Sequence, residues 1–179
     1  NEMAKLRGQK AAQETLFGTP VEPWPEPVDG VAHLDSIFET LKRFIAAKTE
    51  VLSAATLWTS FTWFIEDVRV APLAIITSPE KRCGKTLLST LMSRLCRDPL
   101  LASNISPSAL FRSIEKWKPT LILDEADTFL RENEELRGLI NSGHTRSTAF
   151  VIRFTGDNHE PTSFHTFGAK LLAGIGNLP

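Results

Sequence analysis

Apolar residues recur along this chain in two rhythms, and the change from one to the other divides it. Leu34, Ile37, Phe38, Leu41 and Ile45 fall at helical spacing behind Asp29, whose short acceptor side chain suits a helix N-cap. Leu52, Ala55, Trp58 and Phe61 form a second stripe behind Thr49, read as its cap, with Leu57, Phe64 and Ile65 extending round the same helix. Residues 51–65 carry no charge, but the run is shorter than the ~20 residues a bilayer needs and is broken by Ser53, Thr56, Thr59, Ser60 and Thr62. It reads as a buried helix, with no membrane segment.

Beyond residue 72 short apolar runs alternate with helical stretches. Residues 73–76 (LAII) lead through a turn into an amphipathic helix at 87–96. Leu100, Leu101 and Ala102 make a short second strand, and Ser106 or Ser108 caps a helix running to Trp117, with Arg112 and Lys116 on its solvated face. A third run, 120–123 (TLIL), precedes a helix at about 133–142 that Gly143 ends. Strict alternation follows: Phe150, Ile152 and Phe154 share one strand face, Gly156, Asp157 and Asn158 make a turn, and a partner strand lies near 163–167. The last run, 170–175 (KLLAGI), is rich in small apolar residues. This order predicts an α/β fold of three layers around a mostly parallel sheet, with an inserted β-hairpin and a helical N-terminal extension. The two N-terminal helices should pack on the sheet.

Residues 1–17 are polar and helix-permissive, and Pro20, Pro23, Pro25 and Pro27 then impose an extended arm. Residues 1–28 therefore read as a leading segment and linker, lying over a core at 29–179 with Trp24 as a candidate anchor. A chain of 179 residues, 42% hydrophobic and 23% charged, is enough for one continuous core. Twenty basic against 21 acidic residues leave a net charge of -1, so any nucleic-acid contact must be local. Cys83 and Cys96 give no disulfide framework and fit a reducing cytoplasm. None of the four histidines has a metal-ligand spacing with Cys or acid, so no zinc site is expected.

The junction after 73–76 carries the candidate chemistry. A strand, a loop of phosphate size and then Gly84-Lys85-Thr86 opening a helix is the order of a P-loop, whose backbone N–H groups cradle a polyphosphate. Pro79, Glu80, Lys81, Arg82, Cys83, Gly84, Lys85 and Thr86 are the ATP-binding candidates, Lys85 reaching the β- and γ-phosphates and the Thr86 hydroxyl holding Mg²⁺. Pro79 stands where the G-x-x-x-x-G-K-[ST] pattern has its first glycine, so the alternative is a chance Gly-Lys-Thr. The run 120–123 ends in Asp124-Glu125-Ala126-Asp127, the form of a Walker B strand, expected beside the P-loop strand. Asp124 would hold the Mg²⁺ shell and Glu125 would orient and deprotonate the attacking water. Asp127 reads as a cap of the next helix or a surface acid. The hairpin has the place of the pre-sensor hairpin of ring helicases, which makes Arg153 and His159 nucleic-acid candidates, with His144, Arg146 and Lys170 nearby. A plain surface hairpin is the alternative.

The stretches VDGVAHLDSIF, AIITSPEKRCGKTLL, TLILDEADTFL and FGAKLLAGIGNLP together resemble the P-loop ATPase family catalogued as domain of unknown function 3631. That family is similar to helicase-like AAA+ ATPases and occurs in proteins of phages, plasmids and integrated elements. The resemblance spans 28–179. It implies Mg²⁺-dependent ATP hydrolysis coupled to DNA in replication of a mobile element, by a homo-oligomeric ring in the cytoplasm of a bacterial or phage-infected cell. It matches Lys85 and Thr86 to Walker A and Asp124 and Glu125 to Walker B, and places Asn177 as a polar sensor of the γ-phosphate and attacking water. The chain is expected to be a fragment ending before the arginine finger and helical lid, and so to bind nucleotide modestly and hydrolyse it slowly, if at all, on its own. Two other functions stay open: a nucleotide-dependent switch that loads or remodels another protein, and a non-catalytic assembly module with a degenerate loop.

Overall fold

The computed structural model describes residues 17, 21–80, 82–155 and 159–176. The 1–16 segment, Pro20, Lys81, the turn residues Gly156, Asp157 and Asn158, and Asn177 lie outside the described residues. Helix α1 (Gly30–Phe44) starts as its pattern requires, Asp29 Oδ1 accepting from the Val31 and Ala32 N–H groups at 2.9 and 3.3 Å. Helix α2 (Thr49–Phe61) corrects the cap expectation: Thr49 is already helical and extended Lys48 takes the N-cap position without a side-chain bond. It buries Leu52, Ala55, Thr56, Trp58 and Thr59 and exposes Val51 and Leu57, so it is a half-buried helix. A 3₁₀ turn (Thr62–Phe64) follows.

Next come β1 (Ala74–Ser78), α3 (Lys85–Leu95), β2 (Pro99–Ala102), α4 (Pro107–Trp117) and β3 (Thr120–Leu123). Then follow α5 (Ala126–Glu132), α6 (Glu134–Ser142), β4 (Phe150–Thr155), β5 (Glu160–His165) and β6 (Lys170–Ile175). Ser106 caps α4 through the Ala109 N–H, and Asn133 caps α6 through the Leu136 N–H. The short α5 was not legible in the apolar pattern.

Four strands make one sheet in the order β1-β6-β3-β2, every pair parallel. The acidic strand β3 is therefore not beside β1 as expected: β6, the last strand in the chain, is inserted between them. Ile122, Leu171 and Ala173 pack on one face against Leu41, Leu52, Trp58 and Met92 of α1, α2 and α3. Leu121, Leu123 and Leu172 pack on the other against α4, α5 and α6. Burial of both faces is why β3 and β6 read as unbroken apolar runs. Removing one such leucine from water contributes roughly 1.5–3 kcal/mol.

Strands β4 and β5 form a separate antiparallel hairpin paired from Phe150↔His165 to Thr155↔Glu160. Its second strand thus spans 160–165, earlier than the expected 163–167, with Thr155 paired directly to Glu160. Val151 and Phe164 pack inward, Phe164 against Phe111 of α4 with ring centres 4.7 Å apart, while Phe150, Ile152 and Phe154 stand exposed. The 21–29 arm is exposed throughout, and Trp24, 72% exposed, finds no receiving surface among the described residues.

At the N-terminal end of the sheet Lys170 is buried, its Nζ donating to the carbonyls of Gly143 (3.0 Å), Thr166 (2.8 Å) and Gly168 (3.2 Å). Gly143 ends α6 with φ near −91°, so its lack of a side chain is a matter of space: a Cβ there would overlap Lys170 Nζ and the Thr166 carbonyl. Arg146 staples two loops, donating to the carbonyls of Ile65 (2.6 Å), Glu66 (3.0 Å) and Val68 (3.0 Å) with its guanidinium 4.3 Å over the Phe167 ring. Neither Lys170 nor Arg146 is therefore a loose polar group beside the hairpin. No helix among the described residues is long and apolar enough to cross a membrane.

Candidate functional site

The C-terminal ends of β1, β3 and β6 come together at one rim of the sheet, where ligands of open parallel sheets bind. Strand β1 ends at Ser78, level with Ile175, and the Gly176 N–H donates to the Ser78 carbonyl at 3.0 Å. The chain then loops back to α3. Lys85 Nζ reaches into this loop and donates to Ser78 Oγ (2.5 Å) and to the Glu80 carbonyl (3.0 Å), while Ser78 Oγ donates to the same carbonyl at 2.6 Å. The loop is wrapped round its own ammonium.

Gly84 forms the N-cap of α3 at φ +80°, with open space where a Cβ would stand, so conformation alone selects glycine there. Gly84 offers no side chain to cap α3, and the helix dipole places partial positive charge at its first turn. Thr86 lies exposed in that turn, and Pro79, Arg82 and Cys83 are exposed around the loop. Arg82, at φ +63°, holds a left-handed conformation uncommon outside glycine.

Across β6, Asp124 and Glu125 leave the end of β3. Leu123 is level with Leu172, so the acids depart three residues before β6 reaches Ile175. Two strand spacings separate β1 from β3, about 10 Å. Asp124 Oδ1 accepts from the Glu125 N–H at 2.9 Å, and its other oxygen has no hydrogen bond among the described residues. Glu125 is exposed and takes the N-cap position of α5 at φ +56°, without a side-chain cap bond. The two acids and the Lys85 loop are thus brought to one rim by non-adjacent strands.

Asp127 departs from expectation. It is neither a helix cap nor a surface acid: half-buried in the first turn of α5, its Oδ1 accepts from the Ile175 N–H of β6 at 3.0 Å. No local signal in the sequence marks that role, because the N–H that Asp127 accepts from belongs to a strand 48 positions away. Arg153 is also displaced from its expected use. Its Nη2 donates to Glu135 Oε1 at 2.8 Å and its guanidinium lies 5.5 Å from the Phe111 ring, so it faces α4 and α6. His159 is exposed at φ +52°, directly before β5 and apart from Arg153's contacts.

Among the described residues no three His, Cys, Asp or Glu side chains cluster as a metal site. A Mg²⁺ ion bound with a polyphosphate needs only one or two protein oxygens besides water and phosphate, and the exposed Thr86 hydroxyl and the second carboxylate oxygen of Asp124 are oxygens of that kind. Two cavities lie elsewhere: about 330 Å³ around Ile65, Glu115 and Arg146, and about 730 Å³ between α1, the 3₁₀ turn and the end of α3. No protein-family model and no curated protein sequence matches the chain.

Proposed function

We propose that the chain is a P-loop ATPase domain of a mobile-element replication protein, in line with the resemblance to domain of unknown function 3631, binding Mg²⁺-ATP at 79–86. One observation carries this reading. Lys85 is a cation enclosed by its own loop, held by a hydroxyl and a carbonyl, with no carboxylate partner among the described residues, at an uncapped helix N-terminus. A positive charge at a helix N-terminus, without a carboxylate partner among the described residues, favours an anion.

Bound ATP displaces the loop contacts of Lys85, whose ammonium then pairs with the β- and γ-phosphates, while the first-turn N–H groups of α3 donate to phosphate oxygens. Thr86 and Asp124 would hold Mg²⁺, which would supply charge neutralisation on the phosphates. Glu125 orients a water for in-line attack and takes its proton. Asn177 is the sensor by resemblance, following directly on the exit of β6. A helicase-like motor acting on DNA as a homo-oligomeric ring is the reading that the resemblance favours. The hairpin supports a second one, a loader or remodelling switch: its free face offers Phe150, Ile152 and Phe154, suited to a protein surface, while Arg153 is already engaged with Glu135.

Phosphate release from Mg²⁺-ATP tests the proposal. Glu125→Gln should lower kcat by roughly 10²–10⁴-fold with KM nearly kept. DNA-stimulated turnover that needs His159 supports the motor, and turnover indifferent to DNA supports the switch. A kcat left unchanged by Glu125→Gln refutes the hydrolytic reading.

A further inference from the structure

The exit of β6 is held from both sides. Towards β1 the Gly176 N–H donates to the carbonyl of Ser78, the residue whose hydroxyl accepts from Lys85. Towards α5 the Ile175 N–H donates to Asp127 Oδ1. The second bond fills a gap that the sheet itself creates. Strand β3 stops level with Leu172, so the N–H of Ile175, which alternation turns away from β1, has no ladder partner. A half-buried carboxylate takes the place of the missing strand, as a charge-assisted acceptor. Asp127 in turn sits on the same short helix whose N-cap position Glu125 takes, and the Thr128 N–H closes that turn on the Glu125 carbonyl at 3.0 Å.

The two halves of the site, which lie on strands that never touch, are therefore linked through one continuous path: Lys85, Ser78, Gly176 with Ile175, Asp127, Glu125. Gly176 is at φ +67° with open space round a notional Cβ, so the turn at this point is one that glycine alone adopts without strain. We propose that Asp127 is a positioning residue that couples the phosphate loop to the acidic pair, by fixing the exit of β6 between them. The nucleotide part of this inference rests on the reading of 79–86 as a phosphate site. If the γ-phosphate is what both halves grip, loss of the link should weaken ATP binding more than ADP binding.

The test uses the whole chain with Asp127→Ala, and Asp127→Asn, which keeps an oxygen acceptor without the charge. Without nucleotide, amide hydrogen exchange is read at Ile175, Gly176 and the Ser78 loop, with Leu171 as the core reference. Asp127→Ala should speed exchange about 10-fold at Ile175 and Gly176 and carry the increase into the loop, leaving Leu171 as in the parent, and Asp127→Asn should restore it. With Mg²⁺, the preference for a slowly hydrolysed ATP analogue over ADP should fall about 10-fold in Asp127→Ala, ADP affinity staying within about 2-fold, and return in Asp127→Asn. Asp127→Glu, which keeps the charge and moves the oxygen, should shift both readings the same way and answers if the Ala form does not fold. Faster exchange confined to Ile175, or an unchanged preference in a parent that binds ATP, overturns the coupling. A parent that binds neither nucleotide refutes the phosphate-site reading instead, and the exchange arm then decides the link alone.

Discussion

Lys170 offers the most quantitative consequence of the fold. Its ammonium is buried at the N-terminal end of β6 and donates to three carbonyls, with no carboxylate as partner. Burial pushes its pKa down from 10.5 to about 8. Between those two values the unfolded chain holds the proton more tightly than the folded one, so unfolding free energy must rise with pH. A shift of this size corresponds to about 3 kcal/mol in all, about 2 kcal/mol of it between pH ~8 and pH ~10. Cys96 works in the opposite sense. Burial raises its thiol from 9.0 to about 11, which favours the folded state below the lower value and loses that contribution as pH rises towards the upper one. Parent and Lys170→Met share Cys96, so its effect cancels in their difference. Urea unfolding followed by tryptophan fluorescence should show the parent gaining about 2 kcal/mol on Lys170→Met between pH ~8 and pH ~10. A difference that stays flat across that range would refute the claim that this ammonium is held desolvated.

Two further outcomes follow from the packing. Gly143→Ala should lower stability by about 2 kcal/mol or more in the same assay, because the obstruction includes the Thr166 carbonyl, a backbone atom that cannot swing aside. Arg153→Ala should cost no more than about 1 kcal/mol, since its ion pair with Glu135 is partly solvent-screened, and should leave nucleotide affinity unchanged; a loss of ATP binding would place the hairpin in the site.

What could be read in the sequence was what local pattern determines. Strands β3 and β6 announced themselves because both faces are buried, Asp29 and Ser106 because a short acceptor precedes each apolar stripe. The loop at 79–84 was visible through Gly84 and Lys85, but neither the left-handed conformation of Gly84 nor the contacts of Lys85 with Ser78 and Glu80 was part of that reading. Which strand lies beside which is set by long-range packing, and no local signal placed β6 between β1 and β3. The role of Asp127 depends on that insertion, since the N–H it receives belongs to a strand 48 positions away. Alternation in β4 defined two faces without saying which turns inward: Phe111 and Glu135 draw Arg153 in, leaving Phe150, Ile152 and Phe154 outside. Trp24 was misjudged because an aromatic residue among prolines carries no indication of a receiving surface.

The central claim is that the loop closed round Lys85 is a nucleotide-phosphate site, and the most direct measurement is calorimetric titration of the chain with Mg²⁺ and a slowly hydrolysed ATP analogue, beside Lys85→Ala. Saturable binding in the parent that weakens at least ~10-fold in the variant is the result expected from losing a charged contact to phosphate. Equal binding by both, or none by the parent, would contradict it.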